Sequence, residues 1–407
     1  MMFPFLLLLC DYFVNKKVTQ RDVFDKGPYF LIAAFFGILA LVGQHASGAI
    51  GYNHIFTFLR NIGLASAVIL FYLAKALVPL NLSCFYTYPR MFPVSYLILC
   101  FIAVICLWGA IRYSLRFTRK LFFGFVFFLI SLFPVLQFVP IGQTVVADRY
   151  TYISLIGIFY VIVETFHWLY RKGFPVAFAK KFVILLLMIL TGILSFLSWS
   201  RCRVWADSAT LWNDAVRKSS GQIIPLNNRG EAYYERGDFD RALTDYNHIV
   251  KINPFLAKTY YNRGNVFRAQ GRFPEAIAEY TRAIALDTQS FDCYNERGMT
   301  YQLQGDFSKA LSDYNEALRL NPHYFLAYIN RGILFRKQGK FDLAIADYGE
   351  AIRLEPFLGL AYQNRAVAYA GLQEYSKAWA DIQQALRLGA RVPEEFIEDV
   401  RKGAGYD

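Results

Sequence analysis

The sequence predicts an all-α chain in two parts, a polytopic transmembrane helical domain followed by an α-solenoid of helical repeats. Three observations predict it. Residues 1–200 contain a succession of strongly apolar runs, several long enough to span a bilayer. From Gly230 onward a glycine recurs every 34 residues, at Gly264, Gly298 and Gly332, with Ala366 in the fifth position. Charge divides at the same boundary: residues 1–200 hold 16 Lys and Arg against 5 Asp and Glu, and the remainder 27 against 26. The formal net charge of +12 therefore belongs almost wholly to the apolar half.

The first run, MMFPFLLLLCDYFV, is too short to span. It lacks the basic start and small-residue cleavage site of a signal peptide, so it reads as the tail of a longer span. Apolar runs then follow at about 28–42, 62–78, 94–111, 121–140, 153–170 and 182–199. Short basic loops separate some of them: Lys16, Lys17, Arg21 and Lys26, then Arg112, Arg116, Arg119 and Lys120, then Arg171, Lys172, Lys180 and Lys181. Such loops mark the cytoplasmic side. One crossing by 182–199 then places everything from about residue 200 outside the cytoplasm. The loop at 15–27 agrees only if one of the runs 28–42 and 62–78 does not cross. Lys75 and the terminal Pro79 make 62–78 the interfacial or re-entrant candidate.

Ionisable groups in this half carry two readings each. Glu164 lies within a span, where a charge is costly and often functional; it also suits a protein-lined cavity or a pair with His167. Lys75 and Arg90 suit the positive potential of a donor site, and more readily read as snorkelling side chains.

In the second half the 34-residue register holds across whole columns. Small residues stand at the Gly230 column and at Ala242, Ala276, Ala310, Ala344 and Ala378, where two helices must approach closely. Tyr233 and Tyr301, with Tyr246, Tyr280, Tyr314 and Tyr348, are the knobs that fill the space between. A second glycine column, Gly237, Gly271, Gly305 and Gly339, closes each first helix with a left-handed residue. Pro254, Pro322 and Pro356 stop the second helices, with Thr288 the exception. The fifth unit departs, having Ala366, Gln373 and Ile382. These columns resemble tetratricopeptide repeats. The resulting division is 1–200 for the transmembrane domain, 201–222 for a junction with a half-repeat, 223–390 for five repeats and 391–407 for a capping helix and tail. The half-repeat rests on a step of 34 back from Ala242, Tyr246 and Ile249 to Ser208, Trp212 and Ala215.

Other chemistry is thin. Cys10, Cys100 and Cys106 sit in apolar runs as small hydrophobes, and spacing cannot pair Cys84, Cys202 and Cys293. No His and Cys cluster has metal-ligand spacing, and no glycine loop is built to cradle phosphate, so no metal or cofactor is expected. Nucleic acid is not an expected partner, because the basic residues are spread among membrane loops.

The polytopic half, the segments PLNLSCFYTYP and VADRYTYISLIG, and the junction RVWADSATLWNDAV together resemble the C-superfamily integral-membrane glycosyltransferases that carry C-terminal tetratricopeptide repeats. These include the transmembrane O-mannosyltransferases and their bacterial relatives. The resemblance implies transfer of a sugar from a polyprenyl-phosphate donor to a protein outside the cytoplasm. It points to Asp148, Arg149 and Tyr150 as donor contacts, Arg149 suiting a phosphate; Asp148 and Arg149 equally suit the capping of the span that follows. The family's acidic catalytic loop belongs upstream of the segment that resembles FPFLLLLCDYF. Residues 43–61 and 79–93 hold no Asp or Glu, and 141–152 hold Asp148 alone, so a two-carboxylate site cannot be assembled from them. The expectation is a chain shortened at its N-terminus, or one that kept the scaffold and lost the catalytic part.

Two functional classes remain at this level: a membrane-anchored interaction protein, or the larger part of a lipid-linked glycosyltransferase whose repeats position the acceptor. In either, the concave face formed by the first helices meets the partner, a protein or extended peptide. By register with Gly230 the groove residues are Asn227, Glu231, Tyr234, Lys258, Tyr261, Asn265, Arg268, Asp292, Asn295, Gln302, Ile329 and Arg336. The column Arg229, Arg263, Arg297, Arg331 and Arg365 reads as ion pairing within the array, not as a ligand site. The expected location is that of a multi-pass membrane protein, in a bacterial inner membrane with the repeats in the periplasm, or with the repeats in the endoplasmic reticulum lumen if the chain is eukaryotic.

Overall fold

The computed structural model describes residues 2–46, 56–77, 83, 86–87, 93–116, 118–133, 136, 144–146, 152–171, 176–219 and 222–406. The chain divides into two compact units, Met1–Pro225 and Leu226–Asp407.

The first unit contains α1 (Phe3–Asn15), α2 (Gln20–Asp25), α3 (Gly27–Ala46), α4 (Phe56–Leu77), α5 (Val94–Ser114), α6 (Arg119–Leu132), α7 (Tyr152–Arg171), α8 (Val176–Val204) and α9 (Ser208–Lys218). Two short strands, β1 (Tyr86–Thr87) and β2 (Thr144–Val146), pair antiparallel with a register shift, a departure from a purely helical unit. Glycines let the helices approach. A methyl group at Gly124 would lie 2.7 Å from the carbonyl oxygen of Gly157, and one at Gly63 would meet Leu97, so α6 packs on α7 and α4 on α5 nearly backbone to backbone. Leu64, Val68 and Tyr72 of α4 meet Phe128, Leu132 and Ile158 in one buried cluster.

Among the described residues Val94–Ser114 is long and apolar enough to cross a membrane by length and composition, and Phe3–Asn15, Gly27–Leu39, Ile62–Ala76 and Ile153–Trp168 are shorter apolar stretches. Glu164 is ion-paired with Lys120 across α6 and α7 at 2.7 Å, which corrects the expected partner His167. Lys120 starts α6, so its long side chain reaches along the helix pair to the carboxylate. Lys75 lies over the ring of Phe71. At the end of α8, Arg201 bonds Asp214 of α9 at 2.7 Å, and Lys218 holds the same oxygen. Although burial opposes its ionisation, these two cations keep the Asp214 carboxyl below its ordinary value. The buried residues of α9 are Ala209, Asp214 and Ala215. The 34-residue step into this helix therefore succeeds only at Ala215: Ser208 is exposed and Trp212 half-buried. α9 ends where register with α11 places its end, Lys218 against Ile252, and starts three residues late, at Ser208.

The second unit stacks helices in pairs: α10 (Ile223–Glu235) with α11 (Phe239–Ile252), α12 (Ala257–Ala269) with α13 (Phe273–Leu286), α14 (Phe291–Gln304) with α15 (Phe307–Leu320), α16 (Phe325–Lys337) with α17 (Phe341–Leu354), and α18 (Gly359–Gly371) with α19 (Tyr375–Arg387). A final helix, α20 (Glu394–Gly403), covers the last pair. Val400 of α20 packs on Ala366, Ala378 and Ile382, and its acidic and basic residues face outward. Each first helix ends at a left-handed residue: Gly237, Gly271, Gly305 and Gly339, with φ between +72° and +89°. In the fifth pair Gln373 takes that conformation at φ +61°, which a side chain tolerates at the cost of about 1 kcal/mol.

Two recurring contacts hold each pair. The ring of the second-helix tyrosine lies flat against the glycine of the first. A methyl group on Gly264 would come within 2.6 Å of the Tyr280 ring, and Gly230 and Gly332 stand in the same relation to Tyr246 and Tyr348 at 2.7 Å. The fifth pair changes both sides of this contact together, placing Ala366 against Ile382. The second contact is a forked ion pair. Arg229, Arg297, Arg331 and Arg365 each give two hydrogen bonds to Asp245, Asp313, Asp347 and Asp381 at 2.6–2.9 Å. These carboxylates are buried, so loss of one arginine would strand a charge at a cost of about 3–5 kcal/mol. The second pair substitutes Glu279, whose extra methylene spoils the fork. Arg263 approaches at 3.3 Å, and among the described residues Arg263 Nε and Glu279 Oε2 have no hydrogen-bond partner.

The glycine and tyrosine columns should be energetically coupled. Gly264→Ala is expected to cost about 1–3 kcal/mol in urea denaturation by overpacking. Combining it with Tyr280→Ile should cost clearly less than the two single losses together. Strict additivity would show that the ring contact does not limit the glycine.

Candidate functional site

The same packing that buries the tyrosine rings brings the Tyr280 and Tyr314 hydroxyls to side chains of the first helices, whose outer faces form the concave surface of such an array. What meets each hydroxyl differs from repeat to repeat. In the first, Tyr246 borders a cavity of about 240 Å³ lined also by Glu231, Tyr234, Glu235, Lys258, Tyr261, Asn262 and Asn265. Lys258 is stacked 4.6 Å from the centre of the Tyr261 ring. Asn227 donates to Glu231 at 3.0 Å and accepts from Asn262 at 2.9 Å, so the floor of this cavity is cross-linked between α10 and α12.

The second repeat is closed by its own groups. The Tyr280 hydroxyl donates to Asn265 Oδ1 at 2.6 Å, and Arg268 Nε donates to the hydroxyl oxygen at 3.4 Å. Arg268 is neutralised by Glu296 at 3.2 Å. Burial raises the Glu296 carboxyl above its ordinary value, while attraction to Arg268 opposes that shift. In the third repeat the Tyr314 hydroxyl donates to Gln302 Oε1 at 3.0 Å.

The fourth repeat lacks these partners. Tyr348 is fully buried, and burial pushes its hydroxyl up to about 12, so it remains a donor at neutral pH. Beside it stands the Arg336 guanidinium, which can only donate. Ile333 occupies the register position of Asn265 and packs on Tyr348. Among the described residues neither the Tyr348 hydroxyl nor Arg336 Nε has a hydrogen-bond partner.

Of the groove residues read from register, Asn227, Glu231, Tyr234, Lys258, Tyr261, Asn265, Arg268, Gln302 and Arg336 are half-buried or exposed on the first helices, and Asp292 is exposed in the first turn of α14. Two are corrected. Asn295 is 1% exposed and accepts from Asn330 of α16 at 2.9 Å, so it is a link between repeats. Ile329 is 3% exposed and packs with Ala351 and Ala361. Both are covered by the next first helix, which register within one helix does not reveal. Glu296, Asn262, Ile333 and the tyrosine hydroxyls were missed. Tyrosine rather than phenylalanine in four successive packing positions was the available signal. Asp148, Arg149 and Tyr150, and also Arg90, lie outside the described residues. A shallow recess of about 500 Å³ is lined by α10 and α11 residues including Arg229, Asp245, His248 and Lys251; its arginine and aspartate are already paired with each other.

Comparison with known proteins identifies the repeats. Residues 230–267 and 264–305 match one family model described as a TPR repeat, and 291–324 and 325–358 match another described as a tetratricopeptide repeat. Among solved structures the chain is similar to MamA, at 28% identity over 39% of this chain and 94% of that one, with a TM-score of 0.37. It is also similar to YrrB, described as a TPR protein with an unusual peptide-binding site, at 21% identity over 48% and 99% with a TM-score of 0.38. The Pseudomonas aeruginosa protein pilF is 19% identical over 45% and 87%, with a TM-score of 0.41. No curated protein matches the chain.

Removing a satisfied hydroxyl and an orphaned one should have different consequences. Tyr280→Phe and Tyr314→Phe are each expected to lose about 0.5–1.5 kcal/mol in denaturant unfolding, whereas Tyr348→Phe should be neutral or stabilising. A comparable loss at Tyr348 would mean that its hydroxyl is bonded after all.

Proposed function

We propose that this chain, which carries tetratricopeptide repeats in its C-terminal half, is a membrane-anchored protein. Its repeat groove holds an extended protein or peptide segment outside the cytoplasm. The observation that carries the binding part is the cavity bordered by Tyr246 and walled by Glu231, Tyr234, Lys258, Tyr261 and Asn265. Its walls present amide, hydroxyl, carboxylate and ammonium groups beside aromatic faces, within reach of one ligand. An extended backbone offers both donors and acceptors to such a surface, together with side chains for the aromatic faces. The inter-repeat bond between Asn227 and Asn262, and that between Asn295 and Asn330, hold the first helices in fixed register. The groove is thereby set before a ligand arrives, which lowers the ordering cost of binding.

Anchoring is supported by the first unit. Leu31 and Phe35 of α3, Leu99 and Ile102 of α5, Ile156 and Val163 of α7 and Met188 and Phe196 of α8 are all exposed, far more apolar surface than a water-facing helix pair presents. Trp108, Trp168 and Trp199 are exposed toward the ends of α5, α7 and α8, where indoles suit a bilayer interface. The basic loops orient this unit with its C-terminal end outside the cytoplasm.

Position-specific photocrosslinking in intact cells tests the groove. Benzoylphenylalanine placed at Tyr234, Tyr261 or Gln302 should give discrete adducts. The same probe at Ala278 or Ser312, which share one register position on the exposed face of the second helices, should give none. Equal labelling from both faces would defeat the proposal.

A further inference from the structure

Away from the groove, on the exposed face of the second helix of the first repeat, we infer a binding site for a phosphate monoester carried on a hydroxylated carbon skeleton. The site is the recess of about 500 Å³ lined by Arg229, Thr244, Asp245, Asn247, His248 and Lys251. Thr244, Asn247, His248 and Lys251 are exposed on α11.

The inference rests on what the same register positions do in later repeats. On α15, Arg319 is held by Glu316 three residues before it, with bonds of 2.6 and 2.8 Å, and on α17 Arg353 is held by Glu350 at 2.8 Å. These outer faces neutralise themselves. In the first repeat the two positions are His248 and Lys251. The residues three and four before Lys251 are thus an imidazole and an amide, so neither helical neighbour supplies a carboxylate to the ammonium.

Asn247 is released by a second exchange. Its counterparts Thr281 and Asn315 each accept a hydrogen bond from the arginine of the following repeat, from Arg297 at 3.1 Å and from Arg331 at 2.7 Å. The arginine that would reach Asn247 is Arg263, and it turns the same nitrogen, Nη1, toward Glu279 at 3.3 Å. The mismatch of Glu279 for aspartate therefore leaves the Asn247 amide available at the edge of the recess.

Three donors of different kinds then border one cavity: an ammonium, an imidazole N–H and an amide N–H. A phosphate monoester offers three terminal oxygens and up to two negative charges, one oxygen for each donor, where a carboxylate offers two oxygens and one charge. The Arg229 guanidinium, held by the buried Asp245, adds a fixed positive edge. The cavity exceeds the size of a phosphate, so the group that carries it enters too. Thr244 donates its hydroxyl proton to the Asp240 carbonyl at 2.8 Å, which leaves its oxygen to accept from a ligand hydroxyl.

The full chain with isotope-labelled histidine rings, held in phosphatidylcholine nanodiscs, tests the site in two arms. Glycerol 3-phosphate in solution offers a free monoester, and phosphatidic acid in the nanodisc offers the same group on a lipid. In at least one arm the His248 ring resonance should move, while that of His323, exposed in the turn before α16, stays in place. The arm that responds identifies the source of the phosphate. Lys251→Gln should weaken the response about ten-fold or more, the usual result of losing a hydrogen bond to a charged group. Asn247→Ala, which changes no charge, should weaken it as well. Arg353→Gln, which removes a base already bound to Glu350, should leave it unchanged. The inference would be overturned by a still His248 in both arms, by an equal movement of His323, or by a response undiminished in both Lys251→Gln and Asn247→Ala.

Discussion

The contact on which the second half of this chain depends is a tyrosine ring lying against a helix that has no side chain at the point of contact. At Gly264 even a methyl group would sit 2.6 Å from the ring of Tyr280. The glycine therefore sets how closely two helices of a repeat can approach, and the ring fills what the missing side chain leaves. The forked arginine–aspartate pairs next to it fix the rotation of one helix against the other. Where the fifth repeat gives up the glycine it also gives up the ring, as Ala366 and Ile382 show. Covariation of that kind inside one chain is what a steric constraint produces, and a mere compositional habit would not.

A tyrosine differs from a phenylalanine by a hydroxyl, and that hydroxyl has to end somewhere. Because the ring packs against the first helix, its polar end meets side chains of that helix, as at Asn265 and Gln302. Fold and ligand surface are in this way linked by a single side chain. The array then varies what meets the hydroxyl: a cavity at Tyr246, an amide and an arginine at Tyr280, an amide at Tyr314, and an arginine alone at Tyr348. The backbone repeats while the acceptors do not. A solenoid can thus hold its stacking constant and still differ in binding from one repeat to the next.

Much of this was legible in the sequence, and the limits have physical causes. Period, small-residue columns and breakers located ten helices and their pairing, because helix packing in a repeat is nearly local. The arginine column was legible as ion pairing, though not its fork or the mismatch at Glu279. Register along one helix could not show that the next first helix covers Asn295 and Ile329, since burial there is set by a neighbour 34 residues away. α9 keeps the end that register gives it, and its buried Asp214 is held by Arg201 of α8, a contact that the repeat pattern does not contain. In the first unit, apolar runs gave the helices, while the partner of Glu164 depended on which helices meet, and Lys120 is 44 residues away. The missing acceptor at Tyr348 is written in Ile333, but an apolar residue at one position of a helix carries no signal until the tyrosine it packs on is known.

The central claim is that the guanidinium–hydroxyl pair is closed in the second repeat and open in the fourth. Arginine side-chain Nε–Hε resonances of the selectively labelled full chain, compared before and after Tyr280→Phe and Tyr348→Phe, test it most directly. Arg268 Nε, which donates to the Tyr280 hydroxyl, should shift clearly on loss of that hydroxyl, while Arg336 Nε, without a partner among the described residues, should shift far less on loss of the Tyr348 hydroxyl. Equal shifts for the two arginines, or no shift at Arg268, would contradict the account.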